Sequence, residues 1–164
     1  MMEVDILLIE QIELKYLSKI RKLLYLILQS APSSLNVSQL SDEIQTSRST
    51  VMNYIKYLKD ARLLNLLYKN GDNFPQKPKY VFPHNPNIMH VIENEVDPEC
   101  ERKTFLYNML HSRHKVNLGK KGSDFLIDEK TGIKYTNGMD IKKNNPHIIY
   151  AADNIKTGDK NRIP

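Results

Sequence analysis

Between Ser38 and Leu64 the chain reads SQLSDEIQTSRSTVMNYIKYLKDARLL, and few folds accommodate that spacing of apolar residues. Leu40 and Ile44 sit four residues apart behind Asn36 or Ser38 as an N-cap, with Glu43 close by, which predicts a short first helix. After a tight polar break a second helix begins. Ser47 is a credible N-cap, and Val51, Ile55 and Leu58 recur at the three- and four-residue spacing of a buried stripe. Arg48, Ser49, Asn53 and Lys56 are then expected to face away from the core. Helix, tight turn, helix is the pattern that presents one helix to the major groove of DNA. Arg can fork onto guanine, Asn can pair with adenine, and Lys and Ser hold phosphates, so these four are candidate DNA-binding residues. A polar, weakly basic helix face used for packing or protein binding fits the same residues.

The residues after the second helix suggest a winged version. Leu63 to Tyr68 is an apolar strand, KNGDNFPQKP is a turn with Asn-Gly and two prolines, and Lys79 to Phe82 reads as a returning strand. On such a wing Lys69, Lys77 and Lys79 add backbone affinity without sequence information, which makes them further DNA-binding candidates. Upstream, Leu14, Leu17, Ile20, Leu24 and Ile27 form a long apolar helix face, and Lys15, Lys19 and Lys22 lie on the other side as a solvated face or as phosphate contacts.

Composition sets limits. A chain of 164 residues suits one or two small domains, and a formal charge of +5 with a pI near 9.2 permits nucleic acid without demanding it. No block of like charges stands out, which argues against a nonspecific polybasic tail. One cysteine, Cys100, rules out an internal disulfide and fits a reducing compartment. The apolar runs Ile6 to Ile9 and Leu23 to Leu28 are far too short to span a bilayer, and Glu3 and Asp5 spoil a signal-peptide start. The expectation is a soluble, cytoplasmic protein with no membrane partner.

The second half has a different grain. A short helix is expected from Asn87 to Glu93 and a longer one from about Pro98 to His111, with Phe105, Leu106 and Leu110 as its apolar side. From Lys115 the pattern becomes strand-like: KVNL, DFLID, a segment near IKYTNGMDIKK, then HIIYAAD, separated by turn residues. Helix followed by short strands predicts a small α/β unit. Cys100, His111 and His114 lack the spacing of a zinc site and read as ordinary helix-end residues. Tyr54, Tyr57, Tyr68 and Tyr80 have apolar neighbours and read as packing residues before base-stacking ones.

The order LNVSQLSDEIQTSRSTVMNYIKYLKDARLLNLLY, QKPKYVFPHNPN, ERKTFLYNMLHSRHKVN, GSDFLID and YAADNIKTGDKNRIP resembles the C-terminal half of bacterial AAA-type ATPases. In that family a nucleotide-binding motor is followed by a winged helix and a nuclease-like tail of the PD-(D/E)XK type. The likeness implies an α+β protein with an N-terminal leader at 1–13, a winged helix-turn-helix domain at 14–84 and a nuclease-like α/β domain at 85–164, truncated at its C-terminus. No Gly-rich loop with a following Lys-Ser or Lys-Thr is present. The stretch GKKGS at Gly119 to Ser123 has a phosphate loop's composition without its spacing, so ATP hydrolysis by this chain alone is not expected.

In such a tail two carboxylates grip a divalent metal and a lysine positions the attacking water. The resemblance puts Asp124 at the first position and Asp140 with Lys142 at the acid-x-Lys, making Asp124 and Asp140 the metal ligands and Mg the cofactor if the site is active. A rival register places Asn137 where the family has an acid. The family's helix carboxylate falls on Lys103, with Glu101 displaced by two residues onto another face. These departures favour a degenerate scaffold that needs no cofactor. The expected function is therefore duplex DNA binding by the winged helix. The alternatives are docking on an ATPase motor domain, self-association as a homo-oligomer, or metal-dependent cleavage of nucleic acid.

Overall fold

Leu17, Ile20, Leu24 and Ile27 share one side of a 15-residue helix, α1 (Leu14–Leu28), in the computed structural model, which describes residues 14–92, 96–120, 122–137, 147–153, 155–158 and 161–163. Two further helices come next, α2 (Val37–Glu43) and α3 (Arg48–Asp60), and then an antiparallel pair of strands, β1 (Leu64–Leu67) and β2 (Tyr80–Pro83), registered from Leu64 opposite Pro83 to Leu67 opposite Tyr80. A single antiparallel bridge ties Val81 to Ser33, in the segment between α1 and α2. A 3-10 turn at Pro86–Ile88 runs into α4 (Met89–Ile92), and α5 covers Pro98–His111. The chain is α+β, with two sheets among the described residues, and divides into two compact units.

The first unit takes in the described residues up to Tyr68 together with Asp72–Phe105. Its core is helical: Ile20, Leu23 and Ile27 from α1 and Val51, Ile55 and Leu58 from α3 are essentially sealed from water, and Leu64 and Val81 close the cluster from the strands. Burial of each such side chain is worth about 1.5–3 kcal/mol, so this cluster outweighs any local helix preference. Caps set the helix starts. Asn36 accepts from the Gln39 amide at 3.3 Å and Ser47 accepts from the Thr50 amide at 3.1 Å, as the sequence suggests.

Both helices end on a residue with positive φ that is not glycine, Gln45 (φ 50) after α2 and Arg62 (φ 55) after α3. In each, two backbone hydrogen bonds close the end. Gln45 N–H donates to Asp42 O and Thr46 N–H to Ser41 O; Arg62 N–H donates to Lys59 O and Leu63 N–H to Leu58 O.

The second unit comprises Lys69–Gly71 and the described residues from Leu106 onward, and α5 runs across the division. Its sheet keeps chain order, β3 (Val116–Leu118), β4 (Phe125–Ile127), β5 (Thr131–Asn137), β6 (Ile148–Asp153) and β7 (Arg162–Ile163). The first three strands are antiparallel and the last two join in parallel. Phe125, Ile133, Ile148 and Tyr150 are buried, and Tyr107 packs its ring 5.5 Å from that of Phe125.

Phe105 departs from its expected place on the apolar side of α5: it is 56% exposed, whereas Thr104 and Tyr107 are fully buried. The helix PECERKTFLYNMLH carries no single apolar stripe, and the sheet selects the one large aromatic that faces it. Gly119, Lys120, Gly122 and Ser123 of the GKKGS stretch lie between β3 and β4. Gly119 N–H donates to Asp124 O at 2.9 Å, and a Cβ at Gly119 would collide with the Ser123 carbonyl. Of the strand expected near IKYTNGMDIKK, residues 131–137 form β5, and Asp140 and Lys142 lie outside the described residues.

Candidate nucleic-acid interface

Helix α3 sorts its residues cleanly. Val51, Tyr54, Ile55 and Leu58 are buried, whereas Arg48 in the first turn, Ser49 and Asn53 are exposed. Arg48 opens the helix and Asn53 lies five residues on; their side chains make no hydrogen bond or ion pair with other described residues. Ser49 shares a hydrogen bond of 2.8 Å with the capping hydroxyl of Ser47, which also meets Thr50 Oγ1 at 2.8 Å. The first two turns of α3 thus present a planar cation, an amide and hydroxyls, the donor and acceptor types that read base edges and phosphates.

Lys56 is less available than its sequence position suggests. Its ammonium lies 2.8 Å from Asp60 Oδ2, one turn on, and Lys59 reaches the other oxygen at 3.5 Å. Burial pushes the Asp60 carboxyl up, but the hydrogen bond and charge of Lys56, helped by Lys59, outweigh it and hold the group below its ordinary value. The acid and lysine four residues apart are visible in the sequence as a helix pair, worth about 0.3–0.5 kcal/mol in the open.

Lys77 and Lys79 are exposed in the segment joining β1 to β2, where Lys79 N–H donates to Leu67 O at 2.8 Å. Gly71 (φ 88) supplies a left-handed position in that segment. Lys69 is exposed as well but groups with the second unit, and its carbonyl accepts from Asn117 Nδ2 at 3.4 Å.

Lys19 and Lys22 carry a correction. Neither is simply solvated: Lys19 Nζ donates to Gln45 O and Lys22 Nζ to Glu43 O, each at 2.6 Å. Sequence periodicity places them on the polar side of α1, yet it gives no sign of what that side meets. The one available signal is the acidic end of α2, where Asp42 and Glu43 sit against the negative end of the helix dipole with no basic residue in the last turn.

In the second unit the candidate catalytic residue Asp124 sits just before β4. Its carboxylate accepts from the Tyr135 amide at 2.8 Å, and its own N–H donates to Ile133 O at 2.8 Å, so it pins β5 to the start of β4. Among the described residues no group of three or more His, Cys, Asp or Glu side chains is placed to hold a metal. Asp140 and Lys142, the expected acid-x-Lys, are outside those residues. Glu101 meets His90 at 2.9 Å and Lys103 pairs with Glu99 at 2.7 Å, each within the first unit.

Other charged groups in the second unit hold its turns. The β4–β5 turn carries Asp128 (φ 48) and Glu129 (φ 63). His114 Nδ1 lies 2.8 Å from Asp128 Oδ2, the Lys115 amide donates to Asp128 Oδ1, and Lys115 Nζ reaches Glu129 at 2.7 Å. The His114 hydrogen bond, then that of the Lys115 amide, lowers the Asp128 carboxyl below its ordinary value, and Lys115 lowers Glu129. Cys100, half-buried beside Asp97 in the first unit, has its thiol pushed up to about 11, chiefly by burial and then by the Asp97 carboxylate. At that value it is a poor nucleophile.

Among the described residues no helix is long and apolar enough to cross a membrane. No curated protein and no solved structure matches the chain. One family model does, described as a domain of unknown function, DUF8612, and its match runs over residues 1–82, which takes in α1, α2, α3, β1 and most of β2. The match covers half of the 164 residues and includes every first-unit candidate for DNA contact, and on that basis the chain belongs to the DUF8612 family.

Proposed function

We propose that the first unit is a winged helix that binds duplex DNA, with α3 entering the major groove and Lys77 and Lys79 of the β1–β2 connection lying along the phosphate backbone. One observation carries this reading: on one helix Val51, Ile55 and Leu58 are fully buried while Arg48, Ser49 and Asn53 stand exposed and, for Arg48 and Asn53, uncommitted among the described residues. The order helix, bridge at Ser33, helix, helix, hairpin supports it, being the order in which winged helices assemble their pieces. The second unit is then a nuclease-like scaffold, by its resemblance to the tail of AAA-type ATPases, and it contributes no cleavage in this reading.

Binding of this kind is salt-dependent. With three to five phosphates neutralised, log K falls against log salt with a slope of roughly −3 to −4.5. A fluorescence titration of the full chain on a labelled duplex, repeated across salt, measures it. Arg48→Ala should weaken binding by roughly 5- to 150-fold at the preferred sequence, the range of one base-reading contact. No binding at low salt, or full binding by Arg48→Ala, removes the proposal.

A protein-docking reading draws on Tyr25 of α1, which is 47% exposed. It predicts a complex with an ATPase motor domain, or a homo-oligomer, that survives moderate salt. Sizing of the chain with and without such a motor separates the two.

A further inference from the structure

Beyond its Asn36 cap, helix α2 is weak by local criteria. It has seven residues, too few to hold itself together in water, and it ends on Asp42 and Glu43, whose charges oppose the dipole. The turn that joins it to α3 then needs a left-handed residue, and the chain supplies Gln45 at φ 50 where glycine is the usual choice. Between Asn36 and Arg62 there is no glycine at all. What offsets these faults comes from α1: Lys19 holds the carbonyl of Gln45 itself and Lys22 holds that of Glu43, each at 2.6 Å. Both carbonyls lie at or past the last helical turn, where the helix offers no donor of its own.

We propose that Lys19 and Lys22 are positioning residues for nucleic-acid binding, a two-point clamp that fixes the α2–α3 turn and so the angle at which α3 is presented, without themselves touching phosphate. This inference rests on the DNA-binding reading for its consequence and on the clamp geometry for its cause. A lysine that meets the backbone of a duplex contributes about 0.9 to the salt slope; a lysine that stays on its carbonyl and meets no phosphate leaves that slope unchanged. Affinity and slope therefore part company at these two positions.

The test uses the full chain with Lys19→Met and Lys22→Met together, and with Lys19→Arg and Lys22→Arg together. Amide exchange at Ile44, Gln45 and Thr46, whose N–H groups close the turn, is expected to rise about fivefold in the Met variant with little change in the α1 and α3 cores, and to return towards wild type in the Arg variant. Duplex affinity should fall by about five- to tenfold with the salt slope unchanged, and Arg should restore it. Unchanged exchange at the turn, or exchange raised equally across α1 and α3, overturns the clamp. A slope shallower by close to two overturns it as well, since the lysines would then be phosphate contacts. If the wild-type chain binds no duplex, the DNA reading falls on that result alone, and the exchange measurement still decides the clamp.

Discussion

The two units spend their charged and polar side chains differently. In the second unit the acids and hydroxyl around the β3–β4 and β4–β5 turns are committed to backbone and turn partners: Asp124 on the Tyr135 amide, Asp128 on His114 and the Lys115 amide, Glu129 on Lys115, and Ser123 on both polar atoms of Lys120's backbone. In the first unit α3 leaves Arg48 and Asn53 uncommitted among the described residues, on a helix seated over sealed aliphatic residues. Side chains already satisfied within a fold hold it together, and those left unsatisfied at low cost on a rigid element are available to a partner. The contrast favours α3 as the binding element and gives the described acids of the sheet a structural part.

The largest effect should come from the core under α3. Ile55→Ala leaves a cavity at a site with no exposure, which costs about 2–5 kcal/mol and should unfold the first unit well before the second in a thermal scan followed by NMR; a loss below about 1 kcal/mol would mean the helix is not seated as described. Next comes Asp124→Ala. Without the carboxylate the partly buried Tyr135 amide loses its acceptor, which costs about 1–3 kcal/mol in the second unit and leaves duplex affinity unchanged. A drop in affinity with stability intact would reverse the assignment of roles.

Gln45→Gly sharpens the comparison from the other side. Relief of a left-handed non-glycine residue is worth about 1 kcal/mol and should raise the melting temperature of the first unit by a few degrees, with the second unit unmoved. The smallest effect concerns acid. Asp128 and Glu129 both have carboxyl groups lowered in the fold, so their contribution is complete above the ordinary carboxylate range, near pH 4, and is lost as pH falls through the lowered values. The amides of Lys115 and Lys130 should lose exchange protection below about pH 4 and show no change between about pH 5 and 7; a transition confined to that upper window would contradict the carboxylate account.

How far the sequence foretells this is uneven, for physical reasons. The stripe of Val51, Ile55 and Leu58, the caps at Asn36 and Ser47, and the bounds of α5 are legible because they arise from spacing and short-range chemistry. The clamp by Lys19 and Lys22 is not, since it joins residues 26 and 21 positions apart and depends on how α1 crosses the end of α2. Phe105 misleads because aromatic size suggests burial, while only the sheet decides which face of α5 is covered, and it takes Tyr107. Asp124 reads as a metal ligand by family likeness; its hydrogen bond to Tyr135 emerges only once β5 is registered against β4. Lys56 stands between these cases, its partner Asp60 plain in the sequence as a helix pair.

Titration of the isotope-labelled full chain with a short duplex, followed residue by residue through amide shifts, puts the question to the molecule directly. The account predicts that the largest changes fall on Arg48 to Lys56 and on Lys77 to Lys79, with the sheet from Val116 to Asp153 undisturbed. Changes centred on that sheet, or none at low salt, would contradict it.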